Sequence, residues 1–207
     1  PDNSDFFITD CEKVSILHTR LAIQDISEAG NQPMISKDRR YILSYNGEIY
    51  NVDYLRTYLK LKFNFVPISN SDTEILLNGL IFEGKNFLEL VDGIYSFVFL
   101  DNLKKFIFLA RDPLGVKPLV FINDKKLGLI FSSDVNTIVN LIPSLKFSEK
   151  GISDLIALTF IPEPNTLFKN IFHLSSGIFY KYNFEKTLIS KEKINFRDQD
   201  FFNYKKF

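Results

Sequence analysis

The strongest constraint on the fold is a series of short apolar runs in the second half of the chain, separated by turn dipeptides. One pair of runs covers residues 95–110 around Asp101-Asn102, and a second covers residues 119–132 around Asn123-Asp124. Such runs are typical of β-hairpins, and strands joined by connections this short must pair antiparallel. The second half of the chain is therefore predicted to form antiparallel sheet.

Helix-start signals lie on both sides of the first hairpin. Asn51 is predicted to cap one helix, and Ser71 with Glu74 forms a capping box for another, in which Ser71 bonds the third helical amide and Glu74 reaches back. Ser133 and Ser148 are predicted to cap two later helices, over residues 134–141 and 149–158. This order of strands and helices predicts an α+β fold, with antiparallel sheets covered by helices.

Length and composition exclude several classes of protein. The chain has 207 residues, 45% of them hydrophobic, which is enough for a substantial core. Lys+Arg and Asp+Glu number 25 each, and no basic block carries interleaved aromatic residues, so no nucleic-acid partner is expected. A single cysteine excludes an internal disulfide, and no apolar run approaches membrane-spanning length. We predict a cytoplasmic protein with no membrane partner.

Metal and thiol chemistry have little support. Cys11, His18 and His173 are too few and too scattered for a zinc site, so no metal is expected. Cys11 lies between Asp10 and Glu12, and neighbouring carboxylates are expected to raise the pKa of its thiol and suppress the thiolate. Cys11 is therefore a poor candidate for a nucleophile.

The stretch YNGEIYN, residues 45–51, combines a turn signal with an unexplained carboxylate. Asn46-Gly47 follows an apolar run and predicts a type I′ hairpin turn, because both residues tolerate positive φ angles. Glu48 stands where a hairpin would usually carry a β-branched or aromatic residue. Either Glu48 points to solvent or it has a ligand.

Other polar residues each have a structural interpretation. His18 and Arg20 are two apart in a predicted strand over residues 14–23, so they share a face, which is most often a solvated one. Asp72 is a first-turn carboxylate that the helix dipole favours. Arg111 and Asp112, in the segment RDPLGVKPL, suggest a structural salt bridge.

A functional interpretation remains open beside these. Arg20 could bind a carboxylate, Glu48 and Asp72 an ammonium, and Asn46 with the Gly47 amide a developing oxyanion. Together they would suit a zwitterionic ligand.

Several motifs in one order carry a resemblance to a known family. HTRLAIQD at 18–25 with the following EAGNQPM, YNGEIYN, SDTEILL at 71–77, DGIYSFVFLD at 92–101, RDPLGVKPL at 111–119 and FSSD at 131–134 are its components. The chain resembles the glutaminase domain of glutamine-hydrolysing asparagine synthetases, a class II glutamine amidotransferase with the N-terminal-nucleophile hydrolase fold. Pro1-Asp2 is similar to the end of the family's His-Arg-Gly-Pro-Asp motif.

The resemblance implies a role for each site residue. Asn46 and Gly47 would form the oxyanion hole. Arg20 would bind the α-carboxylate of glutamine, and Glu48 and Asp72 would hold its α-ammonium. Leu21 and Ile23 would contribute backbone contacts. In such enzymes an N-terminal cysteine attacks the side-chain amide, and the released ammonia travels to an ATP-using domain.

The resemblance also implies the architecture. We expect a four-layer αββα sandwich of two antiparallel sheets, lacking its first strand, over residues 1–184. A polar, weakly ordered tail or linker toward a synthetase domain would occupy residues 185–207. The expected partners are glutamine and that synthetase domain, and a homodimer stays open. ATP and Mg²⁺ would serve the synthetase domain, and no cofactor would serve this one.

Two departures from the family pattern leave two functions open. The family's N-terminal cysteine and its S-G-G-x-D-S pyrophosphate loop are not in this sequence, so we expect this chain alone to be inactive. LSSGIFY at 174–180 replaces the family's L-P-P-G-H segment, which indicates a divergent member. The leading hypothesis is glutamine hydrolysis for ATP-dependent amidation of aspartate or a related carboxylate. The alternative is an inactive glutamine-binding or scaffold domain that docks on a synthetase.

Overall fold

The computed structural model describes residues 3–20, 30–124, 126–184 and 188–195. Within them the strands are β1 Asn3–Ile8, β2 Ser15–Arg20, β3 Met34–Ile35, β4 Tyr41–Ile49, β5 Gly93–Asp101, β6 Phe106–Arg111, β7 Val120–Asp124, β8 Gly128–Ser132, β9 Phe172–His173, β10 Ile178–Asn183 and β11 Leu188–Lys193. The helices are α1 Val52–Phe63, α2 Asp72–Glu83, α3 Val135–Leu141 and α4 Glu149–Leu158, with a 3₁₀ helix at Gly84–Leu90.

A six-stranded antiparallel sheet organises the fold, in the order β11-β10-β6-β5-β4-β3. β4 and β5 pair over nine residues, from Tyr41 opposite Asp101 to Ile49 opposite Gly93. Successive side chains of a strand point to opposite faces, so each strand supplies two cores. In β4, Leu43 and Tyr45 belong to one apolar cluster and Ile42 to another.

The two cores define the layers. On one face of the six-stranded sheet, helices α1 and α2 contribute buried side chains such as Leu55, Leu59 and Leu76. On the other face, Phe7 of β1 and Ile16 of β2 pack in the second cluster, together with Leu119 and Leu174. A further cluster joins α3 to the three-stranded sheet β8-β7-β9. The order helix, sheet, sheet, helix confirms the predicted α+β sandwich, and its second sheet layer is divided between the β1-β2 pair and the β8-β7-β9 sheet.

The two hairpins in the second half are confirmed, but the one predicted at Asn46-Gly47 is wrong. Both residues lie within β4 and pair with Ser96 and Tyr95 of β5. Neither has the positive φ that a type I′ turn requires. The Asn-Gly signal is local, and it is overridden here by nine residues of strand pairing.

Helix capping differs in detail from the sequence pattern. The Asn51 side chain does not cap α1; its Nδ2 donates to the Leu90 carbonyl and its Oδ1 accepts from the Asp92 amide, at 2.8 and 3.0 Å. Ser71 caps α2 through the Thr73 amide, while Glu74 accepts hydrogen bonds from Ile68 and Ser69 instead of reaching back to Ser71.

Of the caps predicted for the two later helices, one is confirmed and one is wrong. Ser148 caps α4, accepting from the Gly151 amide as predicted. The cap of α3 is Asp134, where Ser133 was expected, and it accepts from the Asn136 amide.

The segment expected to be a weakly ordered tail is a strand where it is described. Leu188–Lys193 forms β11, which pairs with β10. Ile194 is buried in the core between the six-stranded sheet and helices α1 and α2, the helix-side core. Backbone pairing with β10 explains this order, because the ladder needs no apolar side chains on the outer face. Of the short strands that precede β11, β9 joins β7, while β10 joins β6 and β11.

The segment RDPLGVKPL forms a rigid loop after β6 around two buried charges. Arg111 is 2% exposed; it donates to the carbonyls of Lys117, Gly115 and Leu174 and forms an ion pair with Glu163 at 3.1 Å. The predicted salt bridge therefore exists, but the partner is Glu163, and most of the guanidinium donors bind backbone.

Asp112 complements this arrangement from the other side of the loop. Its oxygens accept from the amides of Leu114, Val116 and Lys117, and from Tyr95 in β5. A buried charge needs such partners to offset its lost hydration, so these bonds hold the loop against the central sheet.

We predict that Asn51→Ala destabilises the fold by about 1–3 kcal/mol, because two backbone groups lose their hydrogen bonds to the Asn51 side chain. The affected groups are the Leu90 carbonyl and the Asp92 amide, which lie just before β5. Urea unfolding followed by circular dichroism measures the change. Exposed Asn140 in α3 is the control, and Asn140→Ala should remain within about 0.5 kcal/mol of the parent. Equal stability of Asn51→Ala and the parent would contradict this role.

Candidate substrate-binding site

One edge of β4 is the starting point of the site. The Tyr50 amide bonds Asp92 on the β5 side, whereas the Tyr41 carbonyl bonds the Ser36 amide on the β3 side. Backbone groups alternate along an antiparallel strand, so odd-numbered residues of β4 present theirs away from β5. β3 pairs only with Ile42 and Leu43. Among the described residues, no strand pairs with the rest of this edge.

Two side chains occupy this edge in place of a strand. The Gln32 amide bonds both backbone groups of Tyr45: its Nε2 donates to the carbonyl at 3.0 Å, and its Oε1 accepts from the amide at 2.7 Å. The Asp72 carboxylate accepts from the Ile49 amide at 3.1 Å. Gly47 lies between these two positions, so its amide is directed to the edge between a carboxamide and a carboxylate.

Gly47 also permits a close approach of the two strands. A Cβ at this position would lie 2.3 Å from the Ile94 carbonyl oxygen and 2.8 Å from the Tyr45 ring. A side chain there would have to displace the β5 backbone. Glycine is thus required by packing, while the turn geometry first inferred for it is not present.

Asp72 begins helix α2 and is only 6% exposed. Its Oδ2 accepts from the Tyr45 hydroxyl at 2.9 Å as well as from the Ile49 amide. Burial raises the pKa of Asp72, and the hydrogen bonds from Tyr45 and Ile49 oppose that rise. The first-turn position explains its place in the helix, but its long-range contacts are with β4.

Asn46 and Glu48 are on the other face of β4 from Tyr45, and both side chains are exposed. They share that face with Ser44, whose hydroxyl is 2.9 Å from Nδ1 of His18 in β2. This contact places the inner face of β2 against the face of β4 that carries Asn46 and Glu48.

Arg20 ends β2 and is buried at 8% exposure, with Nη1 donating to the Asn31 side chain at 3.0 Å. The solvated face expected for His18 and Arg20 is therefore wrong: these side chains point inward with Ile16, and Leu17 is 70% exposed. Burial and the nearby Arg20 charge lower the pKa of His18 to about 4, so its imidazole is neutral at pH 7.

The structure describes five of the seven residues that the sequence singled out for this site. Leu21 and Ile23 lie outside the described residues. Asp72 bonds the edge of β4 at Ile49, two residues from Gly47, while Asn46 and Glu48 project from the adjoining face and Arg20 is on the facing sheet.

Two residues were missed by the sequence analysis, Gln32 and Tyr45. Gln32 was within the motif EAGNQPM, and Tyr45 within YNGEIYN, but their contacts span 13 and 27 positions. No local pattern contains such a contact.

Cys11 lies in the turn between β1 and β2, at the opposite end of that strand pair from Arg20. The expected rise of its pKa is wrong. Hydrogen bonds from Thr9 and the Lys13 backbone, and the charge of Lys105, lower the pKa of this exposed thiol. Its position at the far end of the β1–β2 pair separates Cys11 from the edge of β4.

The described part of the chain has neither a cluster of metal ligands nor a membrane-spanning helix. No group of three or more His, Cys, Asp or Glu side chains there is arranged to hold a metal ion. None of the helices described combines the length and apolar character needed to cross a bilayer.

Similarity to known proteins identifies the family and the fold of this chain. Residues 1–193 match the family model described as a glutamine amidotransferase domain. The chain is 34% identical over 210 residues to putative asparagine synthetase (glutamine-hydrolyzing) 2 of Methanocaldococcus jannaschii, covering 92% of this chain and 40% of that protein. It is 30% identical over 179 residues to asparagine synthetase (glutamine-hydrolyzing) 1 of Bacillus subtilis, covering 86% and 27%.

The fold is similar to that of a solved structure, glutamine phosphoribosylpyrophosphate amidotransferase from B. subtilis. The TM-score is 0.61 at 19% identity, covering 87% of this chain and 34% of that one. This chain spans less than half the length of each of these three proteins.

We predict that Gln32→Ala destabilises the protein by about 1–3 kcal/mol, because the Tyr45 amide and carbonyl lose their buried partner. Hydrogen exchange should also become faster at the Tyr45 amide, while amides in the middle of β5 keep their protection. Asn86→Ala, at an exposed amide side chain, is the matched control. If the Tyr45 amide exchanges equally slowly in Gln32→Ala, the side chain does not secure this edge.

Proposed function

Because this chain is a class II glutamine amidotransferase domain homologous to the glutaminase domains of asparagine synthetases, we propose that the edge of β4 binds glutamine. The observation that carries the proposal is the position of the Gly47 amide, between the Gln32 carboxamide and the Asp72 carboxylate. A backbone amide directed to an open strand edge can donate to a substrate oxygen without any rearrangement.

Each end of glutamine would meet a group of matching charge. Asp72 and Glu48 would accept hydrogen bonds from the α-ammonium, and Arg20 would donate to the α-carboxylate. The Gly47 amide and the Asn46 side chain would donate to the oxygen of the side-chain amide, where negative charge develops during hydrolysis. Leu21 and Ile23 would add backbone contacts. This arrangement holds glutamine by both charged groups and leaves its amide at the oxyanion donors.

The attacking thiol would come from the N-terminal cysteine that the family resemblance implies. Cys11 does not fit this role, because it lies at the far end of the β1–β2 pair from Arg20. We therefore propose that this chain alone binds glutamine but does not hydrolyse it.

In the whole protein, ammonia would pass to a synthetase domain that uses ATP and Mg²⁺ to amidate aspartate or a related carboxylate. The names of the asparagine synthetases of M. jannaschii and B. subtilis support this assignment. A cytoplasmic location would suit the exposed free thiol. A scaffold domain without catalysis is not favoured.

We predict that Asp72→Asn weakens binding of L-glutamine to this chain at least tenfold, because the buried partner of the ammonium loses its charge. Isothermal titration calorimetry should be run with L-glutamine and with glutaramic acid, which lacks the α-amine. Asp72→Asn should lose affinity for glutamine and keep its affinity for glutaramic acid.

Asp53→Asn is the matched control, since Asp53 is an exposed first-turn carboxylate of α1. It should bind glutamine as the parent does. Equal glutamine affinity in Asp72→Asn and the parent would return Asp72 to a purely structural role.

A further inference from the structure

Two buried tyrosines lie in the same core, Tyr45 on β4 and Tyr95 on β5, and their hydroxyls differ in their contacts. Tyr45 is 3% exposed, and its hydroxyl donates to Asp72 Oδ2 at 2.9 Å. Tyr95, on β5, is 1% exposed, and its hydroxyl has no hydrogen-bond partner among the described residues. Both side chains belong to the helix-side core. The Tyr45 and Tyr95 hydroxyls are therefore the same chemical group, one bonded to the Asp72 carboxylate and the other not.

The contacts of Asp72 leave its two oxygens unequal. The Tyr45 hydroxyl and the Ile49 amide both donate to Oδ2, and both come from β4. Two donors on one oxygen orient the carboxylate, and the backbone amides of Asp72 and Thr73 at the start of α2 also bond to it.

We propose that Tyr45 is a positioning residue for ammonium recognition: its hydroxyl orients Asp72 and keeps the carboxylate ready to accept the substrate ammonium. This inference rests on the proposed binding of glutamine at the edge of β4. Tyr45 acts through Asp72 and does not itself contact the substrate.

Electrostatics assign Tyr45 the same role. Burial raises the pKa of Asp72, and the Tyr45 hydrogen bond is the largest influence that opposes it. Burial, followed by the charge of Asp72, raises the pKa of Tyr45 itself, so the phenol stays neutral and remains a donor. Without this donor, the buried carboxylate would be protonated at higher pH and would bind an ammonium less well.

Nearby charged and titratable groups either act on the Tyr45 phenol or bond to partners other than Asp72. Glu48 on β4 and Tyr95 on β5 act on the Tyr45 phenol, and both raise its pKa further. On α2, Glu74 bonds Ile68 and Ser69. In the neighbouring helices, Arg56 of α1 pairs with Asp53, and Lys85 of the 3₁₀ helix pairs with Glu192.

The test compares Tyr45→Phe with Tyr95→Phe, which each remove one buried hydroxyl from the same core. L-glutamine and glutaramic acid are titrated calorimetrically into this chain and both variants from pH 4.5 to 8. Tyr45→Phe should bind glutamine about tenfold more weakly near neutral pH, since a hydrogen bond to a charged group is lost. Its affinity for glutaramic acid should be unchanged. Tyr95→Phe should match the parent with both ligands.

The pH profile separates positioning from general damage to the fold. The ammonium binds ionised Asp72, so glutamine affinity falls as pH drops through the pKa of that carboxylate. Loss of the Tyr45 donor raises this pKa, so the fall in affinity should move to higher pH in Tyr45→Phe and stay in place in Tyr95→Phe. A collapsed pocket would instead weaken both ligands at every pH, and that result would overturn the inference.

The remaining outcomes separate this inference from the proposed function. If the parent binds glutamine and Tyr45→Phe has the same affinity and pH profile, the role of Tyr45 is wrong while the binding site stands. If the parent binds no glutamine between pH 4.5 and 8, the proposed site is wrong, and the role assigned to Tyr45 falls with it.

Discussion

The pairing of β4 with β5 is the constraint on which the rest of the structure depends. Nine residue pairs join the strands, and this ladder uses the even-numbered backbone groups of β4. Its two faces support two separate cores, and its odd-numbered edge remains for other partners. Glycines at the end of the ladder allow the backbones to approach closely: a Cβ on Gly93 would lie 2.4 Å from the Glu48 carbonyl oxygen. The candidate site is the uncovered part of this same strand.

Buried charges connect the surrounding elements to this sheet, and they do so mainly through the backbone. Arg111 binds carbonyls of its own loop and of Leu174, while Asp112 binds loop amides and the Tyr95 amide of β5. Asp72 binds the Ile49 amide of β4 and the Tyr45 hydroxyl. A charge removed from water is tolerated only where such groups surround it, so these contacts hold loop and helix ends at defined positions. In Asp72 the same requirement supplies a carboxylate that is ordered before any ligand arrives.

Much of the fold followed from local patterns, but only part of the candidate site did. The hairpins around Asp101-Asn102 and Asn123-Asp124 and the Ser148 cap were predicted correctly, because turn and cap residues act on their immediate neighbours. Arg20, Asn46, Gly47, Glu48 and Asp72 were selected by residue type and by resemblance. Gln32 and Tyr45 were not, since their partners are distant in the sequence.

By itself, the sequence determined the antiparallel character of the chain, the helices around it and the family to which it belongs. These depend on short-range chemistry and on motifs kept in one order. Only the tertiary structure decided that Asn46-Gly47 is in a strand, that Arg20 is buried and that Asp72 bonds β4. The physical reason is that a local preference for a turn or for solvent contributes less free energy than the pairing of a strand and the burial of side chains in a core. Those long-range interactions bring together side chains that the linear sequence keeps apart.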